Sequence, residues 1–323
     1  MREYLTFDFP GAMTGSQTFL TSIRNYKCKF IITGYMDYPS SAALVPASFV
    51  YFGNLKGKGK FLILDYPSAT GAIVSGTNPY SSDVTCSGNL NVVGSYFLNT
   101  NTIAPLGFFY SGNFNGTGTW TPISPTSLST TINTTVCTSI MGDIIVGNYS
   151  TPGIQYNSFL YNIKTKTYYG ITMVGASAIT ANGVWQIKNH TYIVCGSFTN
   201  TSGLVSGYIV IFNTKTNTFS NWTQYNYFND PTTNVVTVFN AIWGCKCYLN
   251  LVGYYNTNGG TAQPFLCTIK LNKCGIISQG AAWQQLTYAN TSNLTATGVA
   301  SDIIVGGYNL TTDLTTLHGY VSG

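Results

Sequence analysis

The sequence predicts an all-β chain: one six-bladed β-propeller whose last blade is closed by the N-terminal strand. Three observations predict it. First, the segment Asp143-Ile-Ile-Val-Gly-Asn-Tyr149 is restated as Phe30-Ile-Ile-Thr-Gly-Tyr35, Asn91-Val-Val-Gly-Ser-Tyr96, Tyr192-Ile-Val-Cys-Gly-Ser-Phe198, Asn250-Leu-Val-Gly-Tyr254 and Asp302-Ile-Ile-Val-Gly-Gly-Tyr308. Second, the glycines of these copies, at 34, 94, 147, 196, 253 and 306, stand 60, 53, 49, 57 and 53 residues apart. The 17 residues after Gly306 and the first 34 of the chain make a further step of 51. A period that survives the join between the termini is what a closed ring of blades produces. Third, charged residues are 7% of the chain, against about 25% in an average soluble domain, while apolar residues are 44% and aromatic residues 15%. Tyr, Thr, Val, Ile and Phe favour strands, and Gly and Asn favour the turns between them. The apolar content also argues against disorder.

Taken in order, the blades fall near 13–68, 69–127, 128–176, 177–229, 230–290, and 291–323 together with 2–12. The opening Tyr4-Leu-Thr-Phe-Asp-Phe-Pro-Gly-Ala12 alternates apolar and polar residues. It is similar to Lys60-Phe-Leu-Ile-Leu-Asp-Tyr-Pro67 and Tyr168-Tyr-Gly-Ile-Thr-Met-Val-Gly-Ala176, which close the first and third units. The chain is therefore expected to begin with the outer strand of a blade whose other strands are 295–300, 302–308 and 317–322, an arrangement that removes exposed sheet edges. Blade one takes 18–23, 28–35, 47–52 and 60–66. Its register is fixed by the gap-free match of Ile23-x4-Cys28-x5-Gly34-Tyr35 to Ile242-x4-Cys247-x5-Gly253-Tyr254. Blade two follows an insertion at 69–82 and takes 83–87, 90–96, 106–111 and 117–123. Blade three takes 136–140, 143–149, 158–162 and 167–174. Blade four spans 183–223, and blade five starts near 236 with its outer strand within 274–286. Short connections such as Asn162-Ile-Lys-Thr-Lys-Thr167 suit turns between antiparallel neighbours, and helical periodicity is absent.

Charge and composition exclude several function classes. The net charge of +5 is spread thinly apart from Lys56-Gly-Lys-Gly-Lys60, so the dense basic face of a nucleic-acid binder is not expected. No run of about 18 apolar residues marks a membrane span. Residues 1–10 lack the apolar core of a signal peptide, so export would take another route or follow a cleavage before this numbering begins. Of eight cysteines, Cys195 reads as a buried thiol. Cys245 and Cys247 would share one face of a strand with Cys267 and Cys274 on the next hairpin, a candidate disulfide staple whose pairing the sequence leaves open. Cys-x-Cys without a nearby histidine is not zinc spacing, and no metal or cofactor is expected.

The search for chemistry is negative. Glycoside hydrolysis needs two carboxylates facing one another across a pocket. The nine acids are Glu3, Asp8, Asp37, Asp65, Asp83, Asp143, Asp230, Asp302 and Asp313. Asp143 and Asp302 share one repeat position and read as turn residues; Asp8 and Asp65 share another in outer strands. His190 falls in a hairpin turn and His318 opens a third strand, and no Gly-x-Ser-x-Gly elbow supplies a nucleophile beside either. The repeat glycines are read as ending strands rather than opening a helix, so no phosphate cradle is expected.

The segments 4–12, 144–149 and 158–162 together resemble the units of the HAF group of extracellular repeat proteins, which read roughly as a "DFPGA" close, an "IVGxY" strand and a "GFLY" strand. The resemblance extends over all six units, weakly in the second and fifth. It implies a propeller in a secreted or surface setting and carries no catalytic residues to this chain. Asn-x-Ser/Thr sequons at Asn115, Asn133, Asn148, Asn189, Asn200, Asn221, Asn290, Asn293 and Asn309 permit glycosylation in a secretory route. Tyr80, Trp120, Trp222, Tyr225 and Trp283, read as loop-tip aromatics, could stack on sugars or fill a protein partner's pockets, against the alternative of packing between blades.

The resulting expectation is a non-catalytic extracellular, cell-surface or virion-surface structural and interaction module. Its partners would be proteins, further copies of itself in a fibre or coat, or glycans. The alternative is a carbohydrate-binding or sugar-active propeller with its site at the axial mouth.

Overall fold

The computed structural model describes residues 2–10, 16–39, 44–227, 234–245, 247–272 and 277–323. These form six antiparallel sheets arranged as the blades of a propeller. Blade one holds β2 (Gln17–Tyr26), β3 (Lys29–Pro39), β4 (Leu44–Gly53) and β5 (Gly59–Ile63). Blade two holds β6 (Val74–Val84), β7 (Leu90–Leu98), β8 (Asn101–Gly112) and β9 (Gly118–Ile123). Blade three holds β10 (Thr134–Met141), β11 (Ile144–Thr151), β12 (Ile154–Asn162) and β13 (Thr167–Ile171). Blade four holds β14 (Ala176–Lys188), β15 (Thr191–Asn200), β16 (Val205–Asn213) and β17 (Thr218–Tyr225). Blade five holds β18 (Val235–Gly244), β19 (Tyr248–Thr257), β20 (Gln263–Leu271) and β21 (Ile277–Gln285). Blade six is shared between the chain ends: β22 (Thr291–Ser292) and β23 (Gly298–Ala300) pair with β24 (Ile303–Leu310), then come β25 (Asp313–Ser322) and β1 (Tyr4–Thr6).

The expected closure is present. Tyr4, Leu5 and Thr6 pair with Ser322, Val321 and Tyr320, and the Phe7 amide donates to the Gly319 carbonyl at 2.8 Å. The inner strands meet their neighbours in a complete circle, β2 to β6, β10, β14, β18, β23 and back to β2. The core is correspondingly divided into six apolar wedges, one in each seam between neighbouring blades. The wedge between blades six and one draws Phe7, Ala300, Val305 and Val321 from the chain ends against Leu20, Ile23, Ile32, Phe49 and Tyr51. Burying a side chain of this size contributes about 1.5–3 kcal/mol, so the closure is held by packing as well as by backbone pairing.

Two local expectations are corrected. The repeat glycines do not end strands: Gly147, for example, lies inside β11, paired with Cys137 on one side and Phe159 on the other. The segment at 69–82 is not wholly an insertion, because β6 begins at Val74. Each repeat glycine has the same physical cause. The inner strand carries an extra residue opposite it, at Thr21, Tyr80, Thr138, Asn182 and Asn240 in blades one to five. In blade six Thr297 takes this place: its amide and the pairing of Gly298 both fall on Val305. Such a bulge pushes the strand toward its neighbour. A Cβ on Gly34 would stand 2.6 Å from the Phe19 carbonyl oxygen, and one on Gly94, Gly147, Gly196, Gly253 or Gly306 would run into the carbonyl of Asn78, Val136, Thr180, Val238 or Thr295. The third strand sets an aromatic directly across from each glycine: Phe49, Phe108, Phe159, Tyr208, Phe265 and Tyr320. The ring covers the backbone that the missing side chain leaves bare.

Candidate functional site at the propeller axis

The bulges that require the glycines also build the site. All six bulged residues line one open cavity of about 250 Å³ on the axis, joined by Phe19, Tyr80's neighbour Ser81, Ser139 and Arg24. Five of the six tie their blade to the next. Thr21 Oγ1 donates to the Pro79 carbonyl at 2.6 Å, and Thr138 Oγ1 to Ala181 at 2.6 Å. Asn182 Nδ2 donates to Phe239 at 2.9 Å, Asn240 Nδ2 to Ala296 at 2.9 Å, and Thr297 Oγ1 to Leu20 at 2.6 Å. Each acceptor is the residue just before the next blade's bulge, so the ties run one way round the ring. At the sixth place stands Tyr80, which brings a phenol ring to the cavity wall instead.

Arg24 lies three residues beyond its bulge and is only 7% exposed. Its guanidinium crosses to the opposite blades. Nη1 donates to the Ile242 carbonyl at 3.3 Å. Nη2 faces Ser139 Oγ at 3.4 Å, the Ile140 carbonyl at 3.3 Å and the Val184 carbonyl at 3.4 Å. Its Cζ sits 5.0 Å from the centre of the Trp185 ring, a cation–π distance. Burial pulls the Arg24 pKa below its usual value, with Asp83 and Cys195 acting against that. Asp83, in turn, is pushed up by burial, and the Gly142 amide that donates to its Oδ2 at 2.6 Å opposes the shift.

At the rim the Phe19 and Tyr35 rings stack at 5.4 Å with 27° between planes. Burial, with Tyr80 and Asp37 adding to it, pushes the Tyr35 hydroxyl up to about 12. Burial also raises the Asp37 carboxyl. Both residues line an adjoining cleft of about 370 Å³ with Asn78 and Phe97.

The structure separates the residues singled out in the sequence. Of the five aromatics only Tyr80 reaches the axial cavity, and none is at a loop tip. Trp120 packs against Tyr66, Phe108 and Tyr110, Trp222 against Tyr208, Tyr225 against Phe239, and Trp283 against Phe265 and Tyr227. Asn115, Asn133, Asn189, Asn221, Asn290 and Asn293 are exposed and Asn200 is half-buried. Asn148 and Asn309 are withdrawn as glycan acceptors, because their amides donate inside the fold to the Ala181 carbonyl and to the Thr316 and Leu314 carbonyls.

The disulfide staple is also corrected. Cys245 and Cys247 lie in the turn between β18 and β19, not on a strand face, and Cys267 is buried in the seam between blades four and five beside Cys195. All three are free thiols, and Cys274 lies outside the described residues. Asp8 and Asp65 do architectural work: Asp65 accepts from the Ser48 amide at 2.8 Å, and Asp8 accepts from the Gly319 amide at 2.9 Å and pairs with His318 at 2.8 Å. Sequence reasoning missed Arg24. Aligning the units on their glycines exposes it, since Arg24 takes the place held by Asp83, Met141, Trp185, Trp243 and Ala300.

No family model matches the chain, and no curated protein matches it in sequence. Solved structures do share its fold. A Dyadobacter fermentans protein of unknown function superposes with a TM-score of 0.63 at 11% identity, over 99% of this chain and 97% of that one. The Hadza microbial sialidase Hz136 gives 0.57 at 10% identity, over 95% of this chain and 65% of the sialidase. The Trypanosoma rangeli sialidase in complex with the inhibitor DANA gives 0.55 at 12%, over 95% and 55%. The chain thus spans about two thirds of one sialidase and little more than half of the other. Likeness at these identities speaks for the fold, an all-β propeller. Among the described residues no helix is long and apolar enough to cross a membrane.

These comparisons correct the expectation of a structural module that builds a fibre or coat. The named neighbours are sialidases, and they favour the sugar-directed alternative over it. Enzymes stand among the neighbours, so the comparisons do not bear out the expectation that this chain is not one.

Proposed function

We propose that the protein binds a carbohydrate at the axial mouth, in an extracellular or surface setting. The observation that carries this reading is the convergence of six bulged side chains on one open cavity. The threonine hydroxyls give their protons to the next blade, so their oxygens are left to accept from sugar hydroxyls, and the Phe19 and Tyr80 rings supply apolar faces on which a sugar can stack. The volume of about 250 Å³ lies just below the roughly 300–1,000 Å³ of drug-sized clefts, which suits one sugar unit rather than a long chain. The two sialidases with this fold support a sugar ligand. Binding stands ahead of hydrolysis because the described wall of the cavity holds Arg24 and no carboxylate, whereas glycoside hydrolysis draws on a facing pair.

The test is a glycan array probed with the purified chain, followed by calorimetry on the sugars retained. Saturable binding that weakens at least tenfold in Tyr80→Ala, with the unfolding temperature unchanged, is the expected outcome. Retention of no glycan, or binding indifferent to Tyr80→Ala, overturns the reading.

A further inference from the structure

Arg24 is the one charged side chain on the described wall of the axial cavity. A buried charge is costly unless an opposite charge and a full set of hydrogen bonds compensate it. Arg24 has neither. Among the described residues the only ion pair within 4.0 Å is His318 with Asp8. The Arg24 Nε is buried with no hydrogen-bond partner. The Nη contacts, at 3.3–3.4 Å, are longer than the about 2.7–2.9 Å of charge-assisted bonds. Asp83 is the acid nearest enough to be felt, yet it is committed to the Gly142 amide. Arg24 thus lines a 250 Å³ space with one guanidinium donor unpaired and no carboxylate within ion-pair distance among the described residues.

We infer that Arg24 is an anion subsite at the inner end of the axial cavity, so that the ligand there is an acidic sugar, one bearing a carboxylate, sulfate or phosphate group. This rests on the carbohydrate reading for the sugar part and on Arg24 alone for the acid. A guanidinium suits such groups because its planar donors match their paired oxygens. The neutral bulged residues that share the cavity wall would meet the rest of the sugar. The cation–π partner Trp185 fixes the guanidinium in orientation, so little side-chain freedom is lost when the anion arrives.

The experiment compares glucuronate with glucose, and sodium sulfate with sodium chloride at matched ionic strength, on the whole chain. Wild type, Arg24→Lys and Arg24→Met are titrated by calorimetry, and the Arg24 Nε–H signal of the wild type is followed by NMR. Glucuronate should bind at least ten times more tightly than glucose, and sulfate should compete with it. Arg24→Met should abolish that preference, and Arg24→Lys should keep part of it. The wild-type NMR signal decides the matter should Arg24→Met fail to fold. Equal affinity for the two sugars, or an Nε–H signal that no anion moves, overturns the inference and leaves the carbohydrate reading standing. A saturable anion response with no neutral or acidic glycan preferred over sulfate keeps the subsite and overturns the carbohydrate reading.

Discussion

Replacing Thr297 with valine should loosen the ring at the seam where the two ends of the chain meet. Thr297 Oγ1 donates to the Leu20 carbonyl at 2.6 Å and lies 3.1 Å from the Val305 carbonyl. Leu20 is fully buried, and the valine methyl takes the place from which another donor would have to approach its carbonyl. Valine keeps the shape of threonine and removes only the hydroxyl. Stripping a donor from a buried acceptor costs about 1–3 kcal/mol. Each kcal/mol moves the melting point by about 2–4 °C in domains of 150–250 residues, and this chain, at 323 residues, should respond at the lower end. The expected drop for Thr297→Val is therefore roughly 2–6 °C, read by calorimetry together with a lower urea midpoint at unchanged slope. Thr297→Ser retains the hydroxyl and should recover most of the loss. A valine variant within about 0.5 kcal/mol of wild type, or a serine variant as damaged as the valine one, refutes the idea that the inter-blade ties stabilise the circle.

Two further outcomes follow from the same frame. Gly253→Ala drives a methyl into the Val238 carbonyl and should cost about 1–3 kcal/mol or more in urea denaturation, whereas Gly170→Ala, with open space around it, should stay within about 0.5 kcal/mol of wild type. High pH should destabilise the fold in a cooperative way. Burial raises Tyr35, Tyr96, Tyr168, Tyr192 and Tyr227 from 10.0 to about 12. Between those values the folded chain keeps protons that the unfolded chain has released. Their contribution is thus fully present below pH 10 and lost as pH rises through about 12; phenolate absorbance should appear with unfolding. Tyrosines that titrate near pH 10 in a folded chain would contradict it.

The sequence shows the count of blades, the strand order and the shared sixth blade, because a short β-branched run ending on glycine keeps its spacing through every unit. What it hides is the reason for that glycine. A bulge is one extra residue in one strand, and it leaves no mark of its own in composition or alternation; Thr21 and Asn240 look like any other strand residues. Only the glycine across from it betrays it, and that glycine reads equally well as a strand end. The axial cavity was hidden for the same cause, since the bulges aim its lining. Arg24 was hidden differently: a cation in a repeat position that is apolar in four of the six units is visible in an alignment of the units, but its partners come from blades three, four and five. Cys245, Cys247 and Cys267 misled because closeness in a strand pattern says nothing about which side chains a turn or a wedge swallows.

Because five of the six units offer one donor to the carbonyl before the next bulge, the ties form a run of similar couplings interrupted only at Tyr80. Duplicating one of those five units would leave no further coupling unmatched. The number of blades is then set by the angle at which the six apolar wedges fit together and not by polar matching at the hub.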